Sequence, residues 1–232
     1  MNVQGYQKLT LLDFPGKVAC TVFTGGCNLR CPFCHNASLV LSPREGDNLE
    51  EEVLSYLARR QGILEGVCIT GGEPLLQPDL SDFIEKVKKM GFSVKLDTNG
   101  SDPDALAALL SRGNIDYIAM DIKSSPEGYE KAIGKKMDFD RFARSVDLIR
   151  KSGVPYEFRT TLVKGIHTEE DLVQIGRWLK GEEKYFLQGF VDSGNLIGSG
   201  VGAFSSDEMS KFLSVIRKNI PGAALRGQKE GE

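Results

Sequence analysis

Short apolar runs alternate with amphipathic segments along most of the chain. The run from Val18 to Phe23 is rich in β-branched and aromatic residues, which predicts a strand, and five more runs of this kind follow. Between them, apolar residues recur at the spacing of a helix with one buried face. The predicted strands cover residues 18–23, 67–70, 94–96, 117–120, 156–163 and 184–191. The predicted helices cover about 48–60, 80–90 and 139–152, with further helices opening near Asp102, Thr168 and Ser206.

Strands that alternate with helices are typical of repeated βαβ units, and such units build a parallel sheet. The sheet can be open and doubly wound or can curve toward a barrel, but six units are too few to close an eight-unit barrel. In both architectures ligands bind beyond the carboxyl ends of the strands, so the residues that follow each strand are the candidate site. We expect one domain over residues 1–220 and a disordered tail over 221–232.

The predicted strand ends carry polar, charged or glycine-rich segments. Glycine, asparagine and aspartate are what any turn after a strand requires, so each segment alone indicates only a turn. Their shared position at one rim, beside a group of cysteines, marks them as candidate ligand-binding residues. In chain order the segments are Gly71-Gly72-Glu73-Pro74, Asp97-Thr98-Asn99-Gly100, Asp121-Ile122-Lys123 and the stretch from Arg159 to Thr161.

Three of the five cysteines, Cys27, Cys31 and Cys34, stand within eight residues. A structural zinc site takes four ligands, usually as two separated pairs, and the sequence has no second pair. A [4Fe-4S] cluster normally takes four cysteines, so a cluster held by three would leave one iron free for another ligand. Zinc completed by His35 or His167, or three thiols without a metal, are the alternatives.

Composition and charge narrow the class of protein. The 232 residues are 41% hydrophobic and 26% charged, with a net charge of −3 that gives no reason to expect nucleic-acid binding. No stretch predicts a signal peptide or a membrane span, so we expect a cytoplasmic protein with no membrane partner. Cysteines in that reducing compartment favour metal or redox chemistry over disulfides. The two isolated ones, Cys20 and Cys68, lie in predicted strands, where we expect small buried apolar side chains.

Several motifs together resemble a known family. The Cys-x-x-x-Cys-x-x-Cys spacing, with Phe33 before the third cysteine and Gly71-Gly72-Glu73-Pro74 one unit later, resembles the radical S-adenosylmethionine (SAM) enzymes. More narrowly, four segments resemble the enzymes that activate glycyl-radical enzymes under anaerobic conditions, particularly the activating proteins of anaerobic ribonucleoside-triphosphate reductase. These segments are Asp13-Phe14-Pro15-Gly16-Lys17, Cys34-His35-Asn36, Asp97-Thr98-Asn99-Gly100 and Asp121-Ile122-Lys123.

The resemblance implies a fold and a set of cofactor contacts. The fold is an α/β parallel-sheet partial (β/α)6 barrel of the radical SAM type. Cys27, Cys31 and Cys34 would hold a [4Fe-4S] cluster whose fourth iron binds SAM. The other implied cofactor-binding residues are Phe33 and His35 near the adenine, Gly71, Gly72 and Glu73 at the methionyl amino group, Lys123 at the methionyl carboxylate, and Asp97, Thr98 and Asp121 around a monovalent cation.

The resemblance also implies an activity and partners. A reduced cluster would cleave SAM, and the resulting 5′-deoxyadenosyl radical would take a hydrogen atom from a glycine of the partner. That partner is a glycyl-radical enzyme, anaerobic ribonucleotide reductase by the closer resemblance, with flavodoxin or ferredoxin as the low-potential electron donor. A radical SAM enzyme acting on a small metabolite and a non-catalytic zinc adaptor are the competing hypotheses. The relatives' late histidine near the ribose has no counterpart here, and His167 is expected to be an ordinary loop residue.

Overall fold

The computed structural model describes residues 1–43, 49–182 and 184–227. In this part of the chain eight strands follow one another in chain order in one sheet. The strands are β1 (Val3–Thr10), β2 (Ala19–Thr24), β3 (Gly66–Gly71), β4 (Ser93–Thr98), β5 (Tyr117–Asp121), β6 (Tyr156–Leu162), β7 (Tyr185–Gly189) and β8 (Ala224–Arg226). The helices are α1 (Ala37–Leu41), α2 (Glu50–Ala58), α3 (Leu80–Lys89), α4 (Pro103–Ser111), α5 (Tyr129–Ile133), α6 (Asp140–Lys151), α7 (Glu169–Trp178) and α8 (Ser206–Ile216).

The chain divides into two compact units, and each unit is formed by three separate segments of the sequence. Unit 1 comprises Met1–Asn28, Ser38–Met120 and Asp140–Tyr156. Unit 2 comprises Leu29–Ala37, Asp121–Phe139 and Glu157–Glu232. The boundary at Asn28 falls inside the cysteine loop, so Cys27 is described with unit 1 and the other two loop cysteines with unit 2.

The sheet of unit 1 begins with an antiparallel pair and continues with parallel strands. Strand β1 pairs antiparallel with β2, whereas β2 with β3, β3 with β4 and β4 with β5 pair in parallel. The register places Thr21 beside Cys68, Cys68 beside Lys95 and Lys95 beside Tyr117. Because paired residues project to the same face of a sheet, four strands contribute to one row of mostly polar side chains.

The longer helices of unit 1, α2, α3, α4 and α6, form where the sequence predicts them. Helix α3 buries Leu80, Phe83, Ile84 and Val87, the side chains that recur at helical spacing, and each such burial contributes about 1.5–3 kcal/mol. Helix α4 begins as predicted, since the Asp102 carboxylate accepts a hydrogen bond from the Ala105 amide at 3.1 Å. These helices fix the strands between them, and through the strands the polar segments at their ends.

The Asp13-Phe14-Pro15-Gly16-Lys17 segment fills the amino-terminal end of the unit 1 sheet. The Phe14 ring is buried, and its centroid lies 6.2 Å from that of Tyr117. A side chain at Gly66 would come within 2.9 Å of this ring, so glycine leaves the space that the ring occupies. Asp13 accepts a hydrogen bond from the Thr21 hydroxyl at 2.5 Å, which ties the segment to β2.

In unit 2, β6, β7 and β8 pair in parallel. Helix α7 opens with a capping box between Thr168 and Asp171. Helix α8 begins at Ser206, as predicted, and is preceded by a capping box between Ser205 and Glu208. Strand β8 lies within the range expected to be a disordered tail. Its three residues are ordered by pairing with β7.

The predicted α/β class with a parallel, unclosed sheet is confirmed. The six predicted strands correspond to β2 through β7. Strands β1 and β8 and the short helices α1 and α5 were not predicted. The polar sequence at 42–47 predicts a loop before α2, and most of it lies outside the described residues. None of the described helices is long and apolar enough to cross a membrane.

Candidate functional site

The cysteine loop is anchored to unit 1 through backbone atoms. Strand β2 ends in Thr24, and the Gly26 amide then donates a hydrogen bond to the Leu39 carbonyl at 2.8 Å. The Gly26 carbonyl accepts one from the Glu73 amide at 2.8 Å. Cys27 follows directly, half-buried, with its Sγ 3.7 Å from the Asn99 side-chain amide that donates to it. The position of Cys27 is therefore set by its backbone neighbours and by one amide donor.

The glycine pair after β3 makes this close approach possible. A Cβ at Gly72 would lie 1.9 Å from the Gly26 carbonyl oxygen. Gly71 has a φ of +121°, and a Cβ there would lie 2.3 Å from the Thr24 amide nitrogen. Any side chain at these positions would displace the backbone that carries Cys27. The sequence motif is thus explained by contact between two strand ends.

Glu73 joins the end of β3 to the end of β4. Its side chain is buried, with the residue 1% exposed, and accepts hydrogen bonds from the Thr98 hydroxyl at 2.7 Å, the Asn99 amide at 2.7 Å and the Leu75 amide at 3.2 Å. Since Asn99 also donates to Cys27, the carboxylate, the amide and the thiol form one connected network. Asn99 lies in one of the candidate strand-end segments but is not among the cofactor-binding residues that the family resemblance implies.

A buried ion pair lies on the polar row of the unit 1 sheet. Lys95 is 1% exposed, and its ammonium group contacts Oδ1 of Asp97. The same ammonium lies 3.8 Å from the Sγ of Cys68, which in turn donates to Asp97 at 3.7 Å. The predicted site residue Asp97 thus has a cationic partner that the sequence motifs did not include.

Unit 2 holds the remainder of the cysteine loop. Cys31 is buried, Cys34 is half-buried, and the Cys34 amide donates to the Cys31 carbonyl at 3.0 Å. Phe33 between them is buried, whereas His35 is exposed and accepts a hydrogen bond at its carbonyl from Ser193 at 3.4 Å.

Asp121, Lys123 and Arg159 form a charged cluster in unit 2. Arg159 Nε donates to one oxygen of Asp121 at 2.7 Å, and Lys123 Nζ donates to the other at 3.0 Å. Burial disfavours both ionised forms, yet the charges of Arg159 and Lys123 hold the pKa of Asp121 well below its usual range, and Asp121 raises the pKa of Lys123. Two cations therefore face one carboxylate, so the cluster carries a net positive charge.

This cluster opens onto a small cavity. The cavity is lined by Phe33, Asp121, Ile122, Lys123 and Thr161. Its lining places one aromatic side chain beside one carboxylate and one ammonium group. Arg159 was noted only as part of a strand-end stretch, so its direct bond to Asp121 is a finding of the structure.

His167 contacts the charged cluster through the backbone carbonyl of Lys123. It is 4% exposed, its Nδ1 accepts from the Val163 amide at 3.0 Å, and its Nε2 donates to the Lys123 carbonyl at 2.8 Å. Its ring centroid lies 6.1 Å from that of Phe33. His167 is in a loop, as expected, but it is a buried residue that positions two predicted site residues.

His167 also predicts a pH dependence of stability. Burial lowers its pKa below the usual value of about 6.5, so the unfolded chain takes up a proton there that the folded chain does not. The free energy of unfolding should therefore fall by about 1 kcal/mol between pH 7.5 and pH 5.5. Urea unfolding of cluster-free protein, followed by circular dichroism at several pH values, measures it. His167→Gln should lose part of this fall, and His35→Gln should lose a separate part because desolvation lowers the pKa of His35 as well. Equal pH profiles for wild type and His167→Gln would contradict the assignment.

The three predicted cluster cysteines are not arranged around a common metal position in the described residues. Among the residues the structure describes, no group of three or more His, Cys, Asp or Glu side chains is arranged to hold a metal ion. All five cysteines are free thiols. Cys20 and Cys68 are buried in strands, as predicted, and burial raises the pKa of Cys20 to about 12. Free thiols with an amide donor near one sulfur are chemically suited to an iron-sulfur cluster.

Comparison with known proteins identifies the class. Residues 21–179 match the family model of the Radical SAM superfamily, and the chain belongs to that superfamily. Within it, the chain is 33% identical over 195 residues to a putative glycyl-radical enzyme activating enzyme from Methanocaldococcus jannaschii, with 81% of this chain and 79% of the relative covered. It is 32% identical over 155 residues to the pyruvate formate-lyase-activating enzyme of Clostridium pasteurianum, with 64% of each chain covered.

A solved structure shares the fold. SuiB of Streptococcus suis, bound to the precursor peptide SuiA, matches 89% of this chain with a TM-score of 0.71 and 13% identity. This chain spans 48% of the SuiB chain, so the likeness concerns the fold alone. The predicted family is confirmed, and with it the [4Fe-4S] cluster and SAM that radical SAM enzymes use. The prediction that the chain is an enzyme of the kind that activates glycyl-radical enzymes is also confirmed at the level of the family.

Proposed function

We propose that this chain activates anaerobic ribonucleoside-triphosphate reductase by generating a radical on one of its glycines. The observation that carries the proposal is the similarity to an activating enzyme over most of both chains, 81% of this one and 79% of the relative. The partner rests on the finer motifs, Asp13 to Lys17 and Asp97 to Gly100, which resemble the activators of that reductase.

Cys27, Cys31 and Cys34 are the residues that would hold the cluster. When bound and reduced, the cluster would supply one electron to split SAM into methionine and a 5′-deoxyadenosyl radical, which would take a hydrogen atom from the glycine and leave 5′-deoxyadenosine and a glycyl radical. The amide donor of Asn99 toward Cys27 supports this role, because hydrogen bonds to cluster sulfurs tune the reduction potential. The electron would come from flavodoxin or ferredoxin, donors of low potential.

The chain's own residues would bind and orient SAM. Lys123, in a cluster with excess positive charge, would pair with the methionyl carboxylate, since a carboxylate removed from water needs cationic partners. Phe33 and His35 would lie against the adenine. The backbone at Gly71 and Gly72, together with Glu73, would receive the methionyl amino group. Holding the reacting atoms close together and excluding water would protect the radical from other reactions.

The test is an activation assay under strict anaerobic conditions. The protein, reduced by dithionite or by flavodoxin, is mixed with SAM and the candidate reductase, and the glycyl radical is recorded by electron paramagnetic resonance. We expect a signal that depends on SAM, on reduction and on the reductase. A reductase whose radical-bearing glycine is replaced by alanine is the matched control. A second control replaces the reductase with pyruvate formate-lyase, which tests whether activation is selective.

The other functions predict different results. Cleavage of SAM with no glycyl signal on either partner would contradict the activase proposal and favour a radical SAM enzyme acting on a small metabolite. A colourless anaerobic preparation that contains zinc but neither iron nor sulfide would favour a zinc adaptor. A signal on pyruvate formate-lyase alone would retain the activase and overturn the partner.

A further inference from the structure

The three side chains expected to surround a monovalent cation already have partners within their own units. These are Asp97 and Thr98 in unit 1 and Asp121 in unit 2. The inference drawn from these partners rests on the proposed function, because the cation is expected beside bound SAM. In each case the partner contacts an oxygen that could otherwise bind the cation.

Asp97 is paired by the chain itself. The ammonium of Lys95 contacts its Oδ1, and the thiol of Cys68 donates to the same oxygen at 3.7 Å. Lys95 is buried in the middle of β4, and its ammonium group forms an ion pair with the Asp97 carboxylate. A buried ammonium needs a compensating charge, so the two side chains depend on each other.

The other two expected ligands are engaged as well. The Thr98 hydroxyl donates to Glu73 at 2.7 Å and accepts from the Gly100 amide at 3.1 Å. Both oxygens of Asp121 accept from cationic groups, one from Arg159 at 2.7 Å and the other from Lys123 at 3.0 Å.

The charges agree with the contacts. In unit 1 the Asp97 carboxylate is balanced by the ammonium of Lys95, and the Glu73 carboxylate that Thr98 contacts is the group proposed to receive the positively charged methionyl amino group. In unit 2 the carboxylate Asp121 is more than balanced by Lys123 and Arg159. A metal cation binds where negative charge is in excess, and neither group offers an excess. The donor set therefore does not fit a monovalent cation.

We propose that Lys95 takes the place of the monovalent cation in this chain. Its ammonium group holds the Asp97 carboxylate in position at the carboxyl end of β4, and the SAM site works without added Na⁺ or K⁺. Lys95 is a positioning residue: it acts through Asp97, and its charge is fixed to the strand rather than exchanged with solvent.

The wild-type protein provides the first test. SAM affinity, measured by equilibrium dialysis, and the unfolding temperature without SAM are compared in KCl, NaCl and choline chloride at equal ionic strength. We expect both quantities to be the same in the three salts. A thallium-205 resonance experiment, with Tl⁺ as the K⁺ probe, should show no site-specific binding. Stoichiometric Tl⁺ binding that K⁺ displaces, or a wild-type SAM affinity that requires K⁺, would overturn the proposal.

The second test removes the charge and keeps the length of the side chain. Lys95→Met should weaken SAM binding in choline chloride by at least about tenfold, and K⁺ should restore part of it because Asp97 is then unpaired. Lys88→Met is the matched control: Lys88 pairs with Asp116 at 2.7 Å toward the start of β4, both partly exposed, and its loss should leave SAM affinity unchanged in every salt.

The outcomes separate this inference from the proposed function. A wild-type protein that binds no SAM in any salt contradicts the proposed function, while the thallium and unfolding measurements still decide the cation question. If Lys95→Met does not fold, the wild-type salt comparison stands alone. A folded Lys95→Met that binds SAM as wild type does, in choline chloride, contradicts the role of Lys95.

Discussion

Alanine at Cys27, Cys31 or Cys34 is expected to abolish SAM cleavage. A [4Fe-4S] cluster that has three protein ligands and an exchangeable fourth position cannot lose one without losing iron or collapsing. We expect 5′-deoxyadenosine formation to fall by more than about 100-fold, beyond the 10–100-fold typical of changes outside the ligand set. Iron and sulfide content, the visible spectrum and the resonance signal of the reduced protein report the cluster directly, and chromatography of 5′-deoxyadenosine reports cleavage.

Cys20→Ala is the matched control for the cysteine series. Cys20 is fully buried in β2, and burial raises its pKa to about 12, so it stays a neutral thiol at the pH of the assay. Its replacement removes one small buried group and should cost about 1 kcal/mol of stability, with iron content and cleavage retained. Full cleavage by Cys31→Ala, or equal loss of iron in Cys20→Ala, would refute the ligand assignment.

Replacing Glu73 with alanine is expected to cause a large loss of stability in unit 1. The change leaves the Thr98 hydroxyl and the Asn99 amide without their acceptor in a buried position. Each unpaired buried donor costs about 1–3 kcal/mol, so the loss of both acceptors should lower the free energy of unfolding by about 2–6 kcal/mol. Urea unfolding of cluster-free protein measures the loss. SAM affinity should fall as well, because Asn99 and Cys27 belong to the same network.

Glu85→Gln provides the comparison for Glu73. Glu85 is half-buried, with its side chain 40% exposed, and pairs with the exposed Arg112 at 3.3 Å, an arrangement that typically contributes less than about 1 kcal/mol. Its replacement should leave both stability and SAM affinity close to wild type. An equal effect of the two substitutions would show that the Glu73 network contributes nothing particular.

The elements predicted from the sequence are those whose pattern is local. Helix α3 and the parallel strands β2 to β7 carry their periodicity or their β-branched residues within one short window. Strand β1 mixes polar and apolar residues, because much of it is exposed at one edge of the sheet. Strand β8 has three residues and exists through its pairing with β7. Such pairing depends on residues distant in sequence, which a local pattern does not contain.

The candidate site divides in the same way. Glu73, Asp97 and Lys123 stand at strand ends, so the rule that ligands bind at carboxyl ends of parallel strands was enough to select them. Lys95 stands within a strand, and its importance follows from the register that sets it beside Cys68. His167 lies 44 residues from the carbonyl it holds. A signal for Lys95 was present, since a lysine inside an otherwise apolar strand requires a partner.

The backbone bonds that hold the cysteine loop have a consequence for recovery from oxygen damage. Gly25 donates to the Asn2 carbonyl at 3.0 Å, and Gly26 is bonded on both sides, with no thiol taking part in any of these contacts. Loss of iron to air would therefore leave the frame around Cys27 standing. Because the backbone on that side of the loop is already ordered, rebuilding the cluster from ferrous iron and sulfide would cost no further backbone entropy there. Oxygen-inactivated protein should therefore be reactivated by chemical reconstitution without refolding.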